Sequence, residues 1–137
     1  MSDKIKNSKT FCMMPWVHMH TWPVGTTYPC CMADPDLPIG DTKTQSLQEI
    51  WNSSQLRKIR LNMLQDKKSP ECRRCYELEE NGMWTLRNSS NENFQHHWNK
   101  VESTSDDGSA GDVNMAYMDI RFSNLCNLKC RSCGPQF

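Results

Sequence analysis

The chain has 137 residues, with 16 basic and 16 acidic side chains, so no strong net field draws it to nucleic acid or an anionic membrane surface. No apolar run approaches the ~20 residues of a membrane span, and the polar, lysine-bearing first ten residues lead into no apolar stretch of a secretory signal. The expected location is the cytoplasm. Aliphatic, aromatic and cysteine residues make up 36%, a thin supply for a core. Eight cysteines without a signal peptide in front of them read as metal ligands or redox groups rather than a disulfide framework. Metal binding would also add folding free energy that the core lacks.

In chain order, residues 1–10 read as a disordered tail. Trp16-Val17-His18-Met19-His20-Thr21-Trp22 has β-type residues at a loose period of two and predicts a strand. Pro23-Val24-Gly25 supplies a turn, and 26–30 returns as a second strand, giving a hairpin that brings Cys12 and Cys30 to one end. Residues 33–40, rich in Asp and Pro, are a loop. Ser46-Leu47-Gln48-Glu49 has the capping-box form and opens a short helix through Trp51. Asn52-Ser53-Ser54 caps a second helix over 55–64, with Leu56, Ile59, Met63 and Leu64 on one face and Arg57, Lys58 and Arg60 largely off it.

A turn at 66–70 leads to Cys72-Arg73-Arg74-Cys75 and a helical turn over 76–80, stopped by Asn81-Gly82. Residues 94–101 predict another short helix. The polar run 103–111 reads as a flexible linker. Residues 115–122 predict a strand with Met118, Ile120 and Phe122 on one side. Directly after it come Cys126, Cys130 and Cys133, spaced C-x3-C-x2-C. Three thiolates in one loop can hold three corners of a cubic iron–sulfur cluster and leave one iron open, whereas a structural zinc site wants four closed ligands. Among the other candidates, His18 and His20 lie on one side of the first strand, where they can bind metal or substrate or pack beside aromatics. Met13, Met14 and the tryptophans read as core, and Lys67 and Lys68 as solvated charge. Arg73 and Arg74 read as solvated charge too, or as an offset to the charge of a cluster.

The strand followed by this cysteine loop, with Asn127-Leu128 after the first cysteine and Gly134-Pro135 after the third, resembles the start of the radical S-adenosylmethionine enzymes. The resemblance covers about 117–135. It implies that Cys126, Cys130 and Cys133 ligate a [4Fe–4S] cluster whose open iron chelates S-adenosylmethionine. An electron from a flavodoxin- or ferredoxin-like donor then cleaves the cofactor to a 5′-deoxyadenosyl radical, which abstracts hydrogen from a substrate. Ser132 departs from the family, which often has an aromatic residue there, near the adenine.

A second resemblance covers roughly 11–80. Cys12, the G-x4-C of Gly25 to Cys30, the Ser46 to Ser53 helix start and the Cys72/Cys75 pair are similar to the SPASM and twitch auxiliary-cluster domains. There are too few cysteines for a two-cluster SPASM module, so twitch fits better. Placed before the barrel, it resembles the subfamily with an N-terminal twitch domain. It implies that Cys12, Cys30, Cys72 and Cys75 ligate an auxiliary [4Fe–4S] cluster, with Cys31 spare or exchanging with Cys30. A structural zinc in a non-catalytic adaptor is the competing reading of these cysteines.

The expected fold is α+β: a twitch-like domain of a β-hairpin and short helices at 11–92, a linker at 93–114, and at 115–137 the first strand and cluster loop of a truncated (β/α) barrel. Such a piece is expected to be inactive alone, as part of an enzyme acting on an unknown substrate. A peptide is the leading guess, because auxiliary-cluster relatives often modify peptides.

Overall fold

The computed structural model describes residues 3–119, 121 and 123. Cys126, Cys130, Cys133, Ser132, Ile120 and Phe122 lie outside them. The described chain is a small α+β unit. A three-stranded antiparallel sheet sits among short helices. No helix of the described residues is long and apolar enough to cross a membrane.

The expected first strand is corrected at its start. Pro15 stands in the opening turn of a helix, α2 (Met14–Val17), because its fixed φ suits that position. Only β1 (His20–Thr21) is extended. It pairs antiparallel with β2 (Thr26–Tyr28), His20 opposite Tyr28 and Thr21 opposite Thr27, so the expected hairpin forms. Gly25 makes its turn possible: φ is +100°, and a Cβ there would lie 2.5 Å from Asp41 Oδ1. A third strand that the sequence did not suggest, β3 (Gly40–Asp41), closes on β2.

Both predicted caps form. Ser46 and Glu49 exchange side-chain and backbone hydrogen bonds at the start of α3 (Leu47–Trp51), and Ser53 caps α4 (Ser54–Leu64) by accepting from the Leu56 N–H. The polar assignment of Arg60 is corrected, since it is fully buried in α4. Its Nε donates to Pro15 O at 3.0 Å and its guanidinium stacks over the Trp51 ring, 4.8 Å from the centroid. Burial pulls its pKa down to about 9. The core around it holds Phe11, Met13, Met14, Trp16, Trp51, Ile59 and Met63. Met13, Met14, Trp16 and Trp51 are thus core as expected, whereas Trp84 is 69% exposed.

After Asp66 a 3-10 turn (Pro70–Cys72) runs into α5 (Arg73–Glu80), which starts earlier than expected and ends at Asn81-Gly82. The helix expected at 94–101 is a 3-10 turn (Gln95–His97) and α7 (Trp98–Glu102), and a helix that was not expected, α6 (Leu86–Phe94), precedes it. Residues 1–10 are not all a disordered tail: Asp3–Asn7 form α1, and Lys4 pairs with Asp66 at 2.7 Å. The strand expected at 115–122 is absent over 115–118. Its would-be neighbour is helical there, so the Ala116 and Tyr117 N–H groups both donate to Val17 O. Among the described residues of this stretch, Asp119 makes a bridge, parallel to His20.

The run 103–111, expected to be flexible, lies along α3 and α4. Asp107 pairs with Arg57 at 2.7 Å, Trp51 Nε1 donates to Ala110 O at 3.1 Å, and Asn52 Nδ2 donates to Gly111 O at 2.9 Å. Gly108 fits only because it lacks a side chain. Its φ is +84°, and a Cβ would lie 2.5 Å from Arg57 O. Gly108→Ala is therefore expected to destabilise the protein by about 1–3 kcal/mol, measured by urea denaturation, whereas Gly82→Ala, with the same sign of φ but open space around it, should cost less.

Candidate metal centre

Four cysteines from three separate stretches line one cavity. Cys12 comes from the loop before α2, Cys30 from the residues just after β2, and Cys72 and Cys75 from the start of α5. Met14, Met32, Leu86 and Arg87 complete the lining. Its volume, ≈ 20 Å³ of room for the centre of a water molecule, is that of a gap between sulfurs. Among the described residues, no three His, Cys, Asp or Glu side chains converge closely enough to hold a single metal ion. The described cysteines are all free thiols. Cys31 is exposed and lies outside the cavity lining.

The surroundings explain why these thiols meet. The Asp34 N–H donates to Glu71 O at 2.9 Å, and Arg73 Nη2 reaches Asp34 Oδ2 at 3.1 Å. These contacts tie the loop after Cys30 to the turn carrying Cys72. Tyr76, next to Cys75, donates its hydroxyl proton to Thr10 O at 3.2 Å and so fastens α5 to the strand of chain leading into Cys12. From the other side, α6 grips that same strand. Asn91 accepts from the Met13 N–H at 2.9 Å and donates to Phe11 O at 3.1 Å. Arg87 Nη1 donates to Phe11 O at 2.8 Å, and its Nε is shared between both oxygens of Glu79 at 2.9 and 3.0 Å. Ser90 Oγ lies 3.2 Å from Cys12 Sγ.

Electrostatically the cavity favours neutral sulfur. Burial raises the Cys12 thiol to about 11, against a smaller lowering by the Ser90 hydrogen bond. Burial likewise pushes Cys30 and Cys72 up, and neighbouring thiols add to it. Several thiolates cannot share this space without a cation to compensate them. Burial lowers the Arg87 pKa, but the hydrogen bonds and charge of Glu79 outweigh it and hold the guanidinium charged.

Arg73 and Arg74 are exposed, as the solvated-charge reading has them and not the charge-offset one; the cation that lines the cavity is Arg87. The sequence reading missed Arg87, Ser90 and Asn91 together, because it missed α6. The signal for that helix is T-x-x-N: the Thr85 N–H donates to Asn88 Oδ1 at 3.0 Å, which is half of a capping box. His18 and His20 face away from the cysteines. His18 Nδ1 must carry the proton it donates to Tyr117 O at 3.0 Å, and the rings of those two residues lie 4.6 Å apart. His20 Nδ1 is 2.8 Å from Asp119 Oδ2, though not aligned for a hydrogen bond. Both histidines hold the 117–119 segment against β1.

The bounds of a family match settle what this cysteine set resembles. Residues 12–76 match the model of SPASM, an iron–sulfur cluster-binding domain. The match opens on Cys12 and closes one residue after Cys75, so it encloses every cysteine of the cavity. No curated protein and no solved structure matches the chain. The matched family is described as iron–sulfur cluster-binding, and four sulfurs spread round a cavity are a donor set that suits a polynuclear centre, because such clusters are held by cysteine thiolates.

The raised thiols give the metal-free protein a defined pH dependence. Cys12 ionises near 9 in the unfolded chain and near 11 in the folded one, so its contribution to stability is complete below pH 9 and is lost as pH rises through 11. Thermal unfolding in chelator and reductant should show Tm falling across that window. Metal-loaded protein, whose thiols have already lost their protons, should lack this fall.

Proposed function

We propose that this chain is part of a radical S-adenosylmethionine enzyme and carries two [4Fe–4S] sites of different roles. Cys12, Cys30, Cys72 and Cys75 hold an auxiliary cluster in the manner of a twitch domain. Cys126, Cys130 and Cys133 hold the cluster that takes S-adenosylmethionine on its open iron. The observation that carries the reading is the set of four thiols on one cavity, inside the SPASM match and followed in sequence by a C-x3-C-x2-C loop.

Bound together, the second cluster and its cofactor supply a 5′-deoxyadenosyl radical for hydrogen abstraction, once an external flavodoxin- or ferredoxin-like donor provides the electron. The chain's own part at the auxiliary centre is to hold four thiolates together and supply hydrogen bonds to them. The start of α5 directs its positive end toward Cys72 and Cys75. The Arg87–Glu79 pair fixes the Cys12 loop without adding net charge. The reaction proposed is hydrogen abstraction from a substrate held elsewhere in the protein. A peptide is the substrate class we favour, on the resemblance to auxiliary-cluster enzymes.

The test is anaerobic reconstitution of the chain with iron and sulfide. Equal amounts of both, with visible absorption that dithionite bleaches, are expected. Replacing Cys126, Cys130 and Cys133 together by alanine should remove about half the iron if the two sites are independent. Replacing Cys12, Cys30, Cys72 and Cys75 should remove the rest, and Cys31→Ala should remove none. Stoichiometric zinc without sulfide would instead establish the structural-zinc adaptor.

A further inference from the structure

Resting on the auxiliary-cluster reading above, we propose that Ser90 donates a hydrogen bond to the Cys12 sulfur of the loaded centre and raises its reduction potential. Ser90 is 1% exposed. Its Oγ stands between two atoms, Cys12 Sγ at 3.2 Å and Arg87 O at 3.0 Å. A hydroxyl has one proton to give. While Cys12 is a thiol, the protons divide without conflict: Ser90 donates to the carbonyl, which can only accept, and the thiol S–H donates to Ser90.

Metal binding removes the thiol proton. The sulfur then only accepts, and two acceptors face a single hydroxyl proton. Two considerations send it to sulfur. A hydrogen bond to an ionised acceptor is roughly twice as strong as one between neutral groups. Arg87 O lies inside α6, where a backbone N–H one turn on serves it already, so the carbonyl is not orphaned when the serine turns away. The sulfur has little else to choose from. Its other donor is the Met14 backbone N–H; Met14, Met32 and Leu86 present apolar side chains, and Arg87 is occupied by Glu79, Phe11 O and Ser8 O.

Hydrogen bonds to cluster sulfurs are among the levers that set iron–sulfur potentials. An O–H···S bond stabilises the more negative, reduced state more than the oxidised one, so it moves the potential upward. Ser90 is in this sense a positioning and tuning residue that acts through Cys12.

The experiment uses the full chain with Cys126, Cys130 and Cys133 replaced by alanine, loaded anaerobically with ferrous iron and sulfide, so that only the auxiliary centre is read. Its midpoint potential is measured by a redox titration followed by electron paramagnetic resonance. Ser90→Ala is expected to keep the iron content and shift the midpoint to a more negative value, and Ser90→Thr, which keeps the hydroxyl, to restore it. Ser90→Gly supplies a second deletion where the alanine variant holds less iron. Equal midpoints for parent and deletion variants at equal iron content, or a threonine variant displaced as far as the alanine one, overturn the proposal and leave the cluster reading standing. A parent that takes up no iron and sulfide overturns both.

Discussion

Everything in this molecule turns on a conflict between burial and charge. Four thiols line one small cavity, and burial favours the protonated form of Cys12, Cys30 and Cys72. As ligands they must be thiolates, and a thiolate in such a place is costly unless a cation shares the space. On the proposed reading the cavity is stable in two compositions, with its thiols protonated or deprotonated around metal. The polar surroundings are arranged to serve both. Ser90 can accept from a thiol or donate to a thiolate, and Arg87 is neutralised by Glu79 whichever state prevails.

The supporting structure brings together cysteines that lie far apart in sequence. Local helix and turn geometry positions Cys72 and Cys75 relative to each other, since they sit in consecutive turns at the start of α5. Nothing local can place Cys12 or Cys30 beside them. That placement depends on a small number of side chains acting over long sequence separations. Tyr76 and Asn91 hold the Cys12 loop, and the contacts of Asp34 hold the Cys30 loop. Arg60 plays the corresponding part in the core, joining α4 to the carbonyl of Pro15 and to the 103–111 segment through Gly108 O.

What could be read from the sequence divides along the same line between local and distant. The Ser46 and Ser53 caps, the Gly25 turn and the stop at Asn81-Gly82 were legible because each depends on residues a few positions apart. Cys12, Cys30, Cys72 and Cys75 were read as a set through family resemblance, and all four line one cavity. Helix α6 was not, because the residues it buries are Arg87, Ser90 and Asn91, and a search for apolar periodicity passes over buried polar side chains. Arg60 escaped for the same reason. The early strand failed because β-type residues at 16–22 were weighed above Pro15, whose backbone preference opens α2. The stretch at 115–118 looked like a strand by its alternation, yet a strand needs an extended neighbour, and Val17 ends a helix instead.

The distance in sequence between Cys12 and Cys75 has one more implication. A centre bonded to both, and to Cys30 and Cys72 between them, closes loops covering nearly half the chain. Loop closure of that size restricts an unfolded polypeptide as a disulfide does, by an amount on the order of 4 kcal/mol for a single link, which is comparable to the whole stability of many small domains. Unlike a disulfide, such a link would come apart when its inorganic part is lost to oxygen or to a chelator. The lifetime of the folded chain would then be tied to the supply of metal around it, and damage to the cofactor would mark the polypeptide itself for turnover.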